Sequence, residues 1–252
     1  MMSVLHVSDL AKSYGGVHAV RGVAFEVAAG ELVALIGPNG AGKTTTFNML
    51  NGQIRPDAGR VTLDGRDVTG FAPRQLWRMG VGRTFQIAAT FASMTVAENV
   101  EVALMSQTGS FGFFRRGRSE ARQGAADLLQ LIGMQPQAGR SCGELAYGDV
   151  KRLELAIGLA NNPRLLLMDE PCAGMAPRER NELMRLAARM AKERNTAVLF
   201  TEHDMDVVFG HATRVLVMNR GRLIASGSPS EVRANADVRS VYLGARVEAV
   251  GA

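Results

Sequence analysis

Cysteine is almost missing from this 252-residue chain, with Cys142 and Cys172 the only two. Neither lies near a His pair, so a disulfide framework and a structural zinc site are excluded, and a reducing compartment is favoured. Long apolar runs are missing too. No stretch reaches the roughly 18 residues of a membrane-spanning helix. The opening residues 1–16 show no signal-peptide apolar core. The expectation is a chain that does not cross a membrane by itself. Internal repeats and low-complexity linkers are likewise absent. What is present is globular, 46% hydrophobic and 21% charged, and long enough to bury a core without disulfides or metals. The net charge of +5 comes from 29 Lys and Arg against 24 Asp and Glu. Such mild basicity suits a phosphate ligand, an acidic partner or an anionic membrane face, and does not indicate nucleic acid by itself.

Residues 4–7, 23–27, 31–36, 60–63 and 81–85 read as strands, the third a buried-strand run closed by the turn signal Gly37-Pro38-Asn39-Gly40. A helix is predicted from about Gly42, and Pro73 is placed to open another. From about residue 88 to 160 the pattern turns helical, with Ala125, Leu128, Leu129 and Ile132 spaced as a buried stripe. Then come a strand at 165–168, an amphipathic helix at 177–195, strands at 197–200 and 214–218, and an edge hairpin at 221–225. The order predicts an α/β core carrying a helical insertion.

Gly37-Pro38-Asn39-Gly40-Ala41-Gly42-Lys43-Thr44 matches the phosphate-loop pattern GxxxxGK[ST] in full. Its glycines let consecutive backbone N–H groups wrap a polyphosphate, helped by the N-terminus of the following helix. Lys43 is the candidate for the β- and γ-phosphates and the Thr44 hydroxyl for Mg²⁺; Thr45 joins the nucleotide-binding set. Chance produces this pattern in about one chain of this length in a hundred, and its position between an apolar strand and a helix lowers that further.

Leu165-Leu166-Leu167-Met168-Asp169-Glu170 sets two acids at the end of an apolar strand. Asp169 suits a Mg²⁺ role and Glu170 that of general base toward an attacking water. A second acid next to the metal aspartate favours hydrolysis over transfer to a bound acceptor. The bland alternative is a pair of solvated acids at a loop start.

With these motifs the sequence resembles the ATP-binding subunits of ABC transporters over nearly its whole length. The resemblance implies a RecA-like P-loop NTPase core with an N-terminal antiparallel β subdomain and an inserted α-helical subdomain. It makes residues 1–252 one ATPase domain, with 1–87 and 161–252 as core and 88–160 as the helical signature part. It makes Gln86, in Arg83-Thr84-Phe85-Gln86, the glutamine that senses Mg²⁺ and the attacking water while touching a transmembrane partner. It makes His203, in Thr201-Glu202-His203-Asp204, the switch histidine of the γ-phosphate, and Tyr14 the ring that stacks on adenine. Leu145-Ala146-Tyr147-Gly148-Asp149 takes the place of the signature that completes the ATP site of an opposed subunit. Relative to the general pattern, Ala146 replaces a serine, Tyr147 a glycine and Asp149 a glutamine. Ala176, in Pro171-Cys172-Ala173-Gly174-Met175-Ala176, replaces an aspartate. Doing without a charge-assisted hydrogen bond of this kind costs about 1.5–3 kcal/mol if nothing replaces it.

The opening Gly15-Gly16-Val17-His18-Ala19-Val20 is similar to a narrower group, the LivG-type ATPases of bacterial branched-chain amino acid uptake. So are the signature with the Lys151-Arg152-Leu153-Glu154 that follows, Met94-Thr95-Val96-Ala97-Glu98-Asn99 and Val241-Tyr242-Leu243-Gly244. In that group the unusual signature is ordinary, whereas Ala176 is less usual. The group implies ATP and Mg²⁺, import of branched-chain or related amino acids, and a place on the cytoplasmic face of the inner membrane. It also implies a second, related ATPase (a homodimer being the alternative in isolation), transmembrane permease subunits, a periplasmic solute-binding protein reached through them, and no nucleic acid. Another small polar or aromatic solute is the alternative cargo. Rival classes are a soluble ABC protein of DNA repair or translation, a binding module that does not turn ATP over, and a small-molecule kinase.

Other features admit plainer readings. Phe111-Gly112-Phe113-Phe114-Arg115-Arg116-Gly117-Arg118 suits a membrane-side contact or an exposed loop equally. His6, His18 and His211 lack metal spacing. The scattered Met residues read as core fillers, and Cys172 as a small buried side chain.

Overall fold

A computed structural model of the chain describes residues 3–84, 90–108 and 115–241. Strands β1 (Ser3–Tyr14) and β2 (Val17–Ala28) form an N-terminal hairpin, followed by β3 (Leu32–Ile36) and α1 (Lys43–Leu50). Then come β4 (Ala58–Leu63), β5 (Arg66–Asp67), α2 (Pro73–Arg78) and β6 (Val81–Thr84). Helices α3 (Val96–Thr108), α4 (Arg115–Leu131) and α5 (Tyr147–Leu159) lead to β7 (Leu165–Asp169) and α6 (Pro177–Arg194). The described chain closes with β8 (Ala197–Thr201), α7 (Met205–His211), β9 (Arg214–Asn219), β10 (Arg222–Gly227) and α8 (Pro229–Ala234).

Two sheets result. One is antiparallel, in the order β2-β1-β4-β5; the other runs β10-β9-β3-β8-β7-β6, parallel except for the β10 edge. Every residue of β3, β7 and β8 is buried, as expected of parallel strands covered on both faces. Side chains alternate between two cores. Ala34, Leu166, Phe200 and Val217 face the helices, while Leu35, Leu167, Leu199 and Leu216 face α1 and the antiparallel sheet. Each fully buried side chain of this size adds about 1.5–3 kcal/mol of apolar transfer. Arg214 ties the layers at the rim: it pairs with Glu31 through two N–H···O contacts of 2.7 and 2.9 Å and donates to the Glu26 carbonyl at 2.6 Å.

Local chemistry sets the helix ends. Pro73 and Pro177 open α2 and α6, and the carboxylate of Glu179 accepts the Ala176 N–H at 3.2 Å. Asn195 stops α6 in the left-handed region, φ 51°. Helix α5 lies close on β6, where a Cβ at Gly82 would stand 2.4 Å from the Gly158 carbonyl oxygen.

The expected strands at residues 4–7 and 23–27 are the end of a longer hairpin away from its turn. Register shifts between Val7 and Leu10 and between Lys12 and Ser13 break the two-residue alternation: Ser8 pairs only with Arg60 of β4, Asp9 has no partner in either ladder, and Lys12 pairs with Val20. The two-residue β5 and the short α7 and α8 are too brief to show a period. Gln86 and the Phe85 end of the expected 81–85 strand lie outside the described residues, as do Phe111 to Phe114. No helix among the described residues is long and apolar enough to cross a membrane.

Leu167 is fully buried at the centre of the parallel sheet. Leu167→Ala is expected to lower unfolding free energy by about 2–5 kcal/mol, read as a shifted urea midpoint with unchanged slope.

Candidate active site

Residues 37–42 connect β3 to α1 and are held by backbone on both sides. A Cβ on Gly37 would lie 2.3 Å from the Met218 carbonyl oxygen of β9. Gly42 has φ 100°, and its Cβ would fall 2.4 Å from the Ala19 carbonyl oxygen of β2. Only glycine fits where the backbone must be left-handed and this close to another chain segment. The N–H of Gly221 donates to Ala41 O at 3.0 Å and that of Arg21 to Gly221 O at 2.8 Å, stitching the loop to the β9–β10 turn and the hairpin.

Lys43 opens α1 and is 8% exposed. Its Nζ donates to Gly37 O at 2.7 Å and Pro38 O at 3.1 Å. Burial lowers its pKa, opposed by the carboxylates of Glu170 and Asp169. The loop borders a cleft of about 570 Å³, lined by Asn39, Gly40, Ala41, Gly42, Lys43, Thr44 and Thr45 together with Tyr14, His18, Arg21, Glu170, His203 and Arg220. Tyr14, the last residue of β1, stands 47% exposed at its mouth.

Glu170 and His203 come from different strand ends, yet Glu170 Oε1 and His203 Nε2 lie 2.8 Å apart. Asp169 sits behind them, 7% exposed. It pairs in register with Thr201 of β8, whose hydroxyl donates to its Oδ1 at 2.7 Å. The same Thr201 accepts the Glu170 N–H on its hydroxyl oxygen at 3.0 Å and on its carbonyl at 3.2 Å. Glu170 itself is left-handed, φ 47°, a conformation that costs a non-glycine residue about 1–3 kcal/mol. The Arg83 guanidinium from β6 lies 3.6 Å from Asp169 Oδ2; burial lowers the Arg83 pKa and Asp169 opposes that.

Sequence reasoning gives no role to Thr201, Glu202 or Arg83. The signal is available for Thr201, which directly follows the apolar run 197–200 on the strand beside the acids. The carboxylate of Glu202 is buried and accepts the N–H groups of Cys172 at 2.7 Å and His203 at 3.2 Å.

The segment Leu145 to Asp149 is not part of this cleft. Helix α5 begins within it, at Tyr147, with Ala146 as its cap and no side-chain hydrogen bond there. Tyr147 is 51% exposed, and its ring lies over Gly174 of the 171–176 loop. Cys172 and Cys142 are free and buried. Burial, then the Glu202 carboxylate, pushes the Cys172 thiol far above its usual range, in keeping with a structural role. His18 contacts Ser13 and His211 contacts Asn181. No cluster of three or more His, Cys, Asp or Glu able to hold a metal occurs among the described residues.

A phosphate loop at the end of one parallel strand, with a histidine after the adjacent strand and two acids at the end of the next, defines a P-loop nucleoside-triphosphatase. The chain belongs to the ABC transporter family, which it matches over residues 20–173. Residues 222–248 also match the branched-chain amino acid ATP-binding cassette transporter family. The high-affinity branched-chain amino acid transport ATP-binding protein LivG of Salmonella typhimurium is 45% identical over 249 residues, 96% of this chain and 98% of that protein. The corresponding protein BraF of Pseudomonas aeruginosa is 41% identical over 249 residues, with the same coverage. The crystal structure of an ABC transporter's ATP-binding cassette in its ADP conformation superposes with a TM-score of 0.87 at 30% identity, covering 97% of this chain and all of that one. The chain is an ATP-binding cassette and an ATP hydrolase.

Thr201→Val keeps the shape but removes the hydroxyl shared by Asp169 and the Glu170 N–H. It is expected to reduce stability by about 1–3 kcal/mol and to slow hydrolysis, measured by urea unfolding and phosphate release.

Proposed function

We propose that this chain powers a bacterial importer of branched-chain amino acids or closely related solutes, hydrolysing ATP beside membrane subunits that it contacts from the cytoplasmic face. What carries the proposal is the meeting of Glu170 and His203 at 2.8 Å on the rim of the phosphate-loop cleft, in a chain 45% identical over nearly all its length to LivG.

In this reading the backbone N–H groups of residues 39–45 and the Lys43 ammonium hold the phosphates, at the positive end of α1, while Gly37 and Pro38 shape the loop. Tyr14 stacks on adenine. Glu170 takes a proton from the water that attacks the γ-phosphorus, and His203 orients Glu170 and contacts a γ-phosphate oxygen. The residues present fit a magnesium ion: the Thr44 hydroxyl is exposed at the cleft, and Asp169 supplies a hard carboxylate oxygen behind it. Magnesium characteristically takes one or two protein oxygens, with water and phosphate completing its shell. When bound, the ion neutralises β- and γ-phosphate charge. Gln86 keeps the metal- and partner-sensing role that the family resemblance gives it.

Leu145 to Asp149 would serve the cleft of a second, related ATPase, since they lie outside their own. The uncapped start of α5 at Ala146 suits a phosphate approaching from that partner. A largely apolar cavity of about 400 Å³ between α2, β6, α3 and α5 is lined by Trp77, Arg83, Phe91 and Val102. It suits a cytoplasmic segment of the permease, with residues 88–160 then turned to the membrane side. A periplasmic solute-binding protein would be reached only through that permease.

Two experiments test the hydrolytic site. Lys43→Ala is expected to abolish hydrolysis and weaken ATP binding in a calorimetric titration; unchanged affinity would refute the phosphate-loop role. Glu170→Gln is expected to bind ATP normally, hydrolyse it at least a hundredfold more slowly and accumulate an ATP-dependent dimer, whereas near-normal turnover would remove Glu170 as base.

Base stacking is worth about 1–3 kcal/mol, so Tyr14→Ala should raise the ATP dissociation constant roughly tenfold and Tyr14→Phe should leave it nearly unchanged. Equal affinities in all three forms would make Tyr14 a structural residue.

A further inference from the structure

Glu202 has no part in the mechanism above, yet it is an acid only 5% exposed, directly between Thr201 and His203. Its Oε1 accepts the Cys172 N–H at 2.7 Å and its Oε2 the His203 N–H at 3.2 Å. One oxygen therefore holds the chain leaving Glu170, and the other holds the residue that carries the imidazole. Glu170 stands between in the left-handed region, a conformation that persists only where its surroundings impose it. Thr201 fixes the N–H on one side of that residue, and Glu202 fixes the backbone two residues further on. Burying a carboxylate beside the charge of Glu170 is unfavourable unless its oxygens are well bonded, and Glu202 does not line the cleft. A parallel strap lies next to it. Arg180 of α6 donates to Met175 O at 2.7 Å and pairs with Asp204 at 2.5 Å, and Asp204 caps α7 through the N–H groups of Asp206 and Val207.

We propose that Glu202 is a positioning residue for hydrolysis: by bonding the backbone of Cys172 and His203, it holds the Glu170 carboxylate against the His203 imidazole. Removing it slows the chemical step and leaves ATP binding in place. The proposal rests on the reading of Glu170 and His203 as the hydrolytic pair.

The test uses the full chain as wild type, Glu202→Gln, Glu202→Asp, Glu170→Gln and the Glu202→Gln/Glu170→Gln double variant. Single-turnover hydrolysis at saturating ATP-Mg²⁺ and the ATP dissociation constant are measured for each. Glutamine keeps the size but turns an NH₂ group toward one of the two N–H donors. Glu202→Gln is expected to lower the single-turnover rate at least tenfold, with the dissociation constant within about threefold of wild type. Glu202→Asp, which retains the charge one methylene short, should fall between the two and serves alone if the glutamine form cannot be purified. The double variant should hydrolyse at the Glu170→Gln rate within about twofold, because a positioning residue has nothing left to position. A wild-type rate in Glu202→Gln overturns the proposal. So does a loss of ATP affinity that parallels the loss of rate, the mark of general structural support, and so does a further tenfold loss in the double variant. If Glu170→Gln turns over normally, the underlying reading falls and this proposal with it. If Glu170→Gln is slow while Glu202→Gln is normal, only the proposal falls.

Discussion

Burial of β3, β7 and β8 on both faces is the constraint on which the rest of the molecule depends. A strand with apolar side chains on both faces cannot slip by one residue without exchanging the contents of the two cores. The register is therefore fixed, and the carboxyl ends of the three strands finish level. The phosphate loop leaves β3, the acids leave β7, and Thr201-Glu202-His203 leaves β8, which lies between them in the sheet. Ligands of open α/β sheets bind at the carboxyl ends of the strands. Here that rule follows from packing, since the pairing of Asp169 with Thr201 is simply the last rung of the β7–β8 ladder.

Beyond the last rung, polar contacts take over from apolar ones and the backbone becomes strained. Glu170 is left-handed, Gly42 has φ 100°, and Lys43 is buried with a lowered pKa. A left-handed glutamate and a buried ammonium are each unfavourable alone, whereas glycine accepts φ 100°. Around Glu170, Thr201 and Glu202 compensate by accepting the N–H groups of Glu170, Cys172 and His203. Glu170 ends up lining the cleft, while Asp169 stays buried between Thr201 and Arg83. The amides of residues 39–42 are likewise unpaired with a neighbouring strand because the loop has left regular structure, and its glycines admit the approach of Ala19 and Met218 that holds it there.

How far all this is legible in the sequence depends on whether a residue's role is local. The phosphate loop is one contiguous stretch whose glycines, lysine and threonine follow a single spacing pattern, so spacing alone discloses it. The strands β3, β7 and β8 are plain for the same reason: uninterrupted apolar runs of buried-strand length. The hairpin reads too short because its bulges move Ser8, Asp9 and Lys12 off the alternation. Glu202 and Arg83 give no signal because their partners Cys172 and Asp169 lie far away in the chain and meet them only once the sheet forms, whereas Thr201 is marked only by its place after the apolar run 197–200. Asp169 and Glu170 are visible as an adjacent pair, but sequence does not say that Glu170 meets His203.

The signature segment shows the same dependence across two helix starts. Gly148 lies in the first turn of α5, where a Cβ would come within 2.8 Å of the Glu179 carboxylate. That carboxylate also accepts the Ala176 N–H at the start of α6. One acid thus serves the positive ends of two helices, an arrangement that both helix dipoles favour. A larger residue at 148 would displace that carboxylate. Tyr147 adds a second link by laying its ring on Gly174. A side chain at 148, or removal of the ring at 147, would thus disturb the 171–176 loop as well as the signature. Since that loop begins directly after Glu170, a displacement of α5 reaches the acid through covalent chain and packed side chains alone. The substitutions at Ala146 and Ala176 remove polar side chains from this junction, but not the contacts through Gly148, Glu179 and Tyr147 that join its two halves.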